Sequence, residues 1–295
     1  MTLGTSGRLA VPKTWKMFIG GAFPRSESGR YVRMTAQDGT FMGNLCRASR
    51  KDYREAVLAA QKAQPAWAAR TAFNRSQILY RMAEMLEGRR EAFVRLLRDA
   101  EGRSEAEAAR EVGAAIDRLV HHAGWCDKYE QVFGGTNPVA SHHFNVSTIE
   151  ALGVVTLFSS KTCGLVGLVS AIAPVIAAGN AVIAVVEGAP GFVAVELAEV
   201  LATSDLPGGV VNVLTGDFAE ILPHAASHGD NDGVFGIGLS EDARRLVGQK
   251  AADTVKRTFF VDDLDLDGWC SDAVDGPWWI APFTEVKTAW HPLGL

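Results

Sequence analysis

Between Gly153 and Val261 the chain alternates short β-branched runs with helix-length segments, and this alternation restricts the fold more than any other feature of the sequence. Runs at Gly153–Phe158, Ala181–Val186, Val210–Leu214, Gly233–Phe235 and Arg257–Val261 read as strands, separated by helices over about 164–178, 190–203, 217–228 and 240–254. Strands and helices alternating at these lengths predict an α/β fold, a doubly wound parallel sheet with helices on both faces. Residues 164–186 carry no charge and are long enough to be tested as a membrane span. Gly179-Asn180 is a turn signal that cuts this run into a helix and the six-residue run Ala181–Val186. A buried helix followed by a buried parallel strand explains both halves, so no membrane partner is expected.

The flanking regions follow other rules. From Trp15 to Cys46, turn signals at Gly20-Gly21, Ser28-Gly29 and Asp38-Gly39 separate short alternating runs, the pattern of hairpins. Ser49 with Asp52 three residues on is a capping box that opens a helix with Tyr53, Val57 and Ala60 on one face. A second helix is expected from about Asn74 to Asp99, with Ile78, Met82, Met85 and Leu86 on one stripe, and a third from Ser104 to about Tyr129. The run DDLDLD, Asp262–Asp267, is expected to be solvated, and Pro282–Trp290 alternates well enough to form one more strand.

Charge and cysteine usage narrow the partners. Lys and Arg number 29 against 34 Asp and Glu, a formal charge of −5, which gives no general attraction to phosphates and makes nucleic acid a poor first guess. The four cysteines, Cys46, Cys126, Cys163 and Cys270, form no CxxC or paired framework, which fits reduced thiols in a cytoplasm. Met1–Pro12 lacks a secretory apolar core and cleavage pattern.

Few residues announce chemistry by themselves. No G-x-G-x-x-G follows the first strand and no phosphate-loop motif is present; Gly236-Ile237-Gly238 lies between a strand and a helix and reads first as a tight turn. His224 and His228 are spaced i, i+4 as a metal pair would be, but have no neighbouring Glu or third ligand and read as surface residues. The adjacent pairs His121-His122 and His142-His143 point apart and make poor chelates. Cys270 in Gly268-Trp269-Cys270 has no locatable base, and a lone cysteine of this kind is more often inert.

The order of elements, together with longer motifs, resembles the aldehyde dehydrogenase superfamily. APVIAAGNAV (Ala173–Val182) is similar to that family's A-P-A-L-A-A-G-N-x-V, and DLPGGVVNVLTG (Asp205–Gly216) to its L-P-x-G-V-x-N-V-[VL]-x-G. The opening FIGGAF, the segment AADTVKR (Ala251–Arg257) and the closing PFTEVKTAW complete the likeness. The resemblance implies a Rossmann-like domain at 153–262, N-terminal hairpins and helices packed on it over 1–141, and oligomerisation strands at 142–152 and 282–295. The family's catalytic domain, with its G-Q-x-C nucleophile, is replaced by an acidic linker, 263–281.

The departures fall on the chemistry. The family's P-W-N, whose Asn helps form an oxyanion hole, aligns with Ser160-Lys161-Thr162. Val185 stands where its ribose-binding Lys would be, and Phe235-Gly236-Ile237-Gly238 replaces its F-T-G-S turn. Its general-base segment E-L-G-G aligns with Val261-Asp262-Asp263-Leu264, with Asp262 the nearest carboxylate. The resemblance therefore implies no catalytic residues, and NAD or NADP bound at best weakly through Ser159, Thr162, Gly216, Gly236 and Gly238. It implies a pseudoenzyme, like the non-catalytic half of two-part aldehyde dehydrogenases, joined to a full-length dehydrogenase through its C-terminal strand or to copies of itself. A residual cofactor-binding oxidoreductase or regulator is one alternative, and a stand-alone homo-oligomer that binds another small ligand in the vacated cleft is a second.

Overall fold

The structure is a computed structural model that describes residues 13–36 and 39–294; the expectations for Met1–Pro12 and for Asp38 of the Asp38-Gly39 turn lie outside the described residues. The strands are β1 (Tyr31–Thr35), β2 (Phe41–Cys46), β3 (Gly135–Asn137), β4 (His143–Ala151), β5 (Val154–Phe158), β6 (Ala181–Val186), β7 (Val211–Thr215), β8 (Gly233–Ile237), β9 (Arg257–Val261) and β10 (Thr284–Pro292). The helices are α1 (Arg50–Ala68), α2 (Ala72–Glu87), α3 (Arg90–Glu101), α4 (Glu105–Trp125), α5 (Tyr129–Phe133), α6 (Val166–Ala177), α7 (Pro190–Ala202), α8 (Phe218–Ser227), α9 (Glu241–Ala252) and α10 (Leu266–Trp269).

Five parallel strands form the central sheet in the order β7-β6-β5-β8-β9. The chain winds outward from β5 through β6 to β7, then returns to β5's other side for β8 and β9. The sheet therefore reverses direction between β5 and β8, the position where doubly wound folds open a crevice at their carboxyl ends. Both faces are covered. Val155, Leu157, Val182, Ala184, Val211, Val213 and Phe235 pack with α2, α4, α6 and α7 residues, while Val154, Phe158, Ile183, Val185 and Leu214 pack with Tyr53, Val57, Ile221 and Val247. Burial on both faces explains why these strands read as continuous apolar runs. No helix among the described residues is long and apolar enough to cross a membrane; the uncharged run 164–186 is divided into α6 and β6, both buried.

The capping box at Ser49 is present, with Ser49 Oγ accepting from Asp52 N and Asp52 accepting from Ser49 N. The single helix expected over Asn74–Asp99 is two. Thr71 caps α2, Gly88 ends it, and Arg89 leaves the helical region at φ −111° and ψ 11° before α3 begins. The apolar stripe continues across the break, so periodicity alone does not reveal it, whereas Gly88 is the weak helix former at which the break falls.

A second sheet, β10-β4-β3, is antiparallel, with β10 and β4 in register from Thr284↔Ala151 to Pro292↔His143. Between β9 and β10, residues 262–283 form a packed cap, which corrects the expectation of a solvated acidic stretch. Asp262 and Asp267 face solvent, but Leu266 and Trp269 between them and the next turn are buried, followed by Val274, Ile280 and Phe283. Trp269, Trp279, Phe283, Phe235 and Phe259 form one aromatic cluster with centroids 5.1–6.1 Å apart in its contacting pairs. Arg118 on α4 fixes the cap by donating to Trp269 O (3.0 Å) and Ser271 O (3.2 Å) and by pairing with Asp275. Replacing Trp269, fully buried in this cluster, with Ala is expected to destabilise the fold by about 3–5 kcal/mol, read as a lower urea midpoint. A shift below about 1 kcal/mol would mean that the cap is not part of the core.

Candidate functional site

At the crevice where the winding of the sheet reverses, polar groups of the protein bond to one another. Asp263, just beyond β9, accepts from Ser160 Oγ (2.6 Å), Lys161 N (2.9 Å), Thr162 Oγ1 (3.0 Å) and Trp269 Nε1 (3.1 Å). Thr162 Oγ1 also lies 2.6 Å from Leu264 O. Asp262, taken from the sequence as the nearest carboxylate, instead points outward and pairs with Arg244 at 2.6 Å. The parity of a strand explains the difference, because neighbouring residues leaving β9 face opposite ways.

The sequence-selected glycines serve internal packing. Gly238 has φ +61°, and a Cβ there would lie 2.7 Å from Asp263 Cβ. A Cβ on Gly236 would meet Leu239 Cδ1 at 2.3 Å, and one on Gly216 would press on Ala48 N at 3.1 Å. Ser159 is buried, its Oγ 3.4 Å from Ser160 O, and Val185 is buried against the α1, α8 and α9 side. Thus Thr162, Gly238 and Asp263 come together at the crevice, whereas Gly216 sits at the end of β7 under the N-terminal segment.

Helix N-termini attract anions, and three of those at this edge already hold the chain's own acceptors. At α6, Glu111 Oε1 accepts from Leu165 N (3.0 Å) and Val166 N (3.3 Å), and Glu101 accepts from Gly164 N (3.3 Å). At α8, Asp217 caps Ala219 N (2.9 Å) and Glu187 accepts from Phe218 N (3.3 Å). At α9, Ser240 caps Ala243 N (3.3 Å), with Glu241 and Asp242 in the first turn. The α7 helix begins at Pro190, which has no N–H to offer. Lys161, the cation beside α8, pairs with Glu187 and lies 4.8 Å over the Phe218 ring. A cavity of about 310 Å³ remains there, lined by Lys161, Glu187, Phe218, Leu239, Ser240 and the sequence-selected Gly238.

The thiols are poorly placed for nucleophilic work. Cys163 is buried, and the loss of hydration together with the nearby Glu111 carboxylate pushes its thiol up to about 12, against the lowering effect of Arg103. Burial likewise raises Cys126 to about 12 and raises Cys270, which is only partly exposed in the cap. A thiol held protonated is a weak nucleophile at neutral pH. His224 and His228 line a shared cavity beside Arg50, where burial lowers both. His121 and His122 are lowered by burial, His122 to about 3. Among the described residues, no group of three or more His, Cys, Asp or Glu is placed to hold a metal ion.

Sequence reading did not single out Asp263, Glu187, Glu111 and Glu101 as members of this constellation. Asp263 carried a signal in its place next to the aligned general-base position; Glu111, on α4, carried none, because its partners lie 54 and 55 residues away. A sheet wound in the local order 3-2-1-4-5 with a crevice at its reversal defines the chain as a doubly wound, Rossmann-like α/β protein. The chain belongs to the aldehyde dehydrogenase family, whose model matches residues 23–260. Solved structures similar to it include an NADP-dependent enzyme of E. coli, 23% identical with a TM-score of 0.80, covering 84% of this chain and 51% of that one. An aldehyde dehydrogenase of Bacillus cereus, solved as a point mutant, is 24% identical with a TM-score of 0.80, covering 85% and 51%. A point mutant of betaine aldehyde dehydrogenase of Staphylococcus aureus, in complex with NAD+, is 20% identical with a TM-score of 0.79, covering 84% and 50%. The chain thus spans about half the length of these structures.

The buried acid Glu101 generates a pH prediction. Burial and the neighbouring Glu111 raise its carboxyl to about 8, against weaker lowering by Gly164 N–H and Arg103. A carboxyl raised on folding lends stability below its unfolded value that is lost as pH rises through the folded one. Glu101→Gln should therefore gain in urea midpoint relative to the unaltered chain between about pH 4.5 and 8. A difference between the two proteins that stays constant across this window would contradict a raised carboxyl.

Proposed function

We propose that this chain is a non-catalytic subunit of the aldehyde dehydrogenase family, which assembles with an intact NAD(P)-dependent aldehyde dehydrogenase and supports it through the sheet that ends in β10. The observation that carries this reading is the closure of the strand ends: Asp263 and Glu187 occupy hydroxyl, N–H and ammonium donors at the crevice that would otherwise meet a ligand. The partly exposed thiol, Cys270, is raised by burial and lies in the cap. With purified protein, a panel of aliphatic and aromatic aldehydes should give no sustained NADH absorbance. Turnover that disappears in Cys270→Ala would overturn the reading.

NAD or NADP is the ligand class to test, since the S. aureus neighbour was solved with NAD+. The fit is poor here. Val185 is an apolar buried side chain, Lys161 is neutralised by Glu187, and each polar ligand group left unpaired costs about 1–3 kcal/mol. Calorimetry with NAD should show little heat at micromolar concentration, and Glu187→Ser, which frees Lys161 and the α8 N-terminus, should tighten binding by about tenfold, near 1.4 kcal/mol. Tight binding by the unaltered chain would favour a cofactor-sensing regulator instead. For the assembly itself, the chain mixed with an intact aldehyde dehydrogenase from the same source should comigrate with it and raise its Tm. Separate migration of the two at micromolar concentration counts against the subunit reading.

A further inference from the structure

A second cavity, of about 600 Å³, lies between the start of α1 and the end of α8. It is separate from the crevice. The α8 helix turns Phe218, Ala219 and Leu222 toward the cavity at the strand ends and Glu220, His224 and Ser227 toward this one, and at about 3.6 residues per turn the two sets occupy opposite faces. The wall is polar. Arg50, Lys51 and Arg54 come from the first turns of α1, and His224, Ser227 and His228 from the end of α8.

Once the internal partners on this wall are assigned, the groups left over are donors. Glu27 accepts from Ser49 Oγ (3.1 Å) and Lys51 Nζ (3.2 Å), while Glu220 accepts from both terminal nitrogens of Arg30 (3.1 and 2.5 Å) and pairs with Arg47 (3.3 Å). Arg54 reaches Glu55 at 3.3 Å. Arg50 has no ion pair or side-chain hydrogen bond among the described residues, and neither ring nitrogen of His224 has a hydrogen-bond partner among them. His228 Nδ1 accepts from Asp230 N at 3.2 Å, which leaves the proton of the neutral ring on Nε2. Burial holds both rings below their ordinary range, so each is a neutral N–H donor at neutral pH, and Arg50 adds to this at His224.

The helix ends favour the same sign of ligand. The start of α1 carries partial positive charge. The end of α8 would oppose an anion, but its carbonyls are already answered. Ser227 Oγ donates to Pro223 O (2.9 Å), Asn231 Nδ2 to Ala225 O (3.0 Å), and the buried Lys256 ammonium to His228 O (2.9 Å) and Asn231 O.

We propose that this cavity binds one phosphoryl group, that of a small phosphate monoester, through the Arg50 guanidinium and the N–H groups of His224 and His228. Donors reaching in from two helices suit a tetrahedral oxyanion, whose three terminal oxygens point in different directions, better than a planar carboxylate. The volume suits a small metabolite. Glu27 and Glu220 on the same wall set the limit at one phosphoryl group, because a pyrophosphate or a nucleic-acid backbone would bring further negative charge against them. The proposal goes beyond the subunit reading and does not rest on it.

The test uses the full chain with inorganic phosphate and glycerol phosphate as probes, and with glycerol and chloride at matched ionic strength as controls. Both probes at millimolar concentration should raise Tm and shift the ring resonances of His224 and His228, whereas the controls should do neither. Arg50→Gln alters an exposed side chain and should weaken both probes by about tenfold in Kd. Arg81→Gln removes the same charge from α2, which packs on the other face of the sheet, and should leave Kd unchanged. Pyrophosphate should bind no more tightly than phosphate. The proposal is overturned if phosphate leaves Tm and the ring resonances where they were, or if chloride acts as strongly as phosphate. It is equally overturned if Arg50→Gln binds like the unaltered chain, if Arg81→Gln is weakened as much as Arg50→Gln, or if pyrophosphate binds the more tightly. Should Arg50→Gln misfold, the ring resonances of the unaltered chain decide. None of these outcomes depends on whether a dehydrogenase is bound.

Discussion

The Asp263 carboxylate ties the loop after β5 to the cap that follows β9, at the edge where β5, β8 and β9 end. Its donors come from the loop after β5, through Ser160, Lys161 and Thr162, and from the cap, through the Trp269 indole. Removing a carboxylate from water is costly unless its acceptor positions are filled, and Ser160 Oγ, Lys161 N and Trp269 Nε1 donate to it at 2.6–3.1 Å, while the one Thr162 hydroxyl proton is shared with Leu264 O. Gly238 follows from the same contact. Its φ of +61° and missing Cβ let the β8 turn pass within the space that the Asp263 side chain takes. One side chain thus links cap, strand ends and turn, in addition to the ladder and the aromatic cluster that hold them.

The electrostatics of the crevice follow the same pattern of internal satisfaction. Unsatisfied N–H groups at helix starts, and the partial positive charge they carry, are what make such a sheet edge receptive to phosphate. Here Glu111, Glu187, Asp217 and Ser240 occupy those groups, and Lys161 is tied to Glu187. A phosphate arriving at α8 would have to displace a carboxylate already bonded to Phe218 N and paired with an ammonium. The polar groups of the crevice thus serve the fold itself, bonding strand ends, helix starts and the cap to one another.

What the sequence revealed and what it concealed divide along physical lines. The five parallel strands and the four helices between them were legible because burial on both faces forces β-branched runs such as Ala181–Val186, and because a Gly-Asn turn punctuates them. The capping box at Ser49 was legible because both partners lie within one turn. The break at Gly88 was hidden because the apolar stripes of α2 and α3 face the same core. The cap was hidden because alternating acids look solvated until Leu266 and Trp269 are found facing inward. Contacts such as Ser160 to Asp263, 103 residues apart, depend on the tertiary fold, and no local pattern encodes them.

The two sheets end up with opposite degrees of closure, and this separates what holds the fold from what the fold offers to others. The parallel sheet is covered on both faces by helices, and the cap adds Trp269 and Phe283 to its core, so its apolar surface needs no second chain. Among the described residues, the antiparallel sheet is closed on one side only. Ile149 is buried beside Ile280 and Tyr129, yet Val286 and Trp290 on β10 remain exposed. Apolar side chains that the fold leaves in water, on a strand whose own side of the ladder is already paired to β4 over nine residues, add little to the stability of a single copy. Burial in the parallel sheet therefore holds the fold together, while the exposed Val286 and Trp290 of β10 contribute little to it.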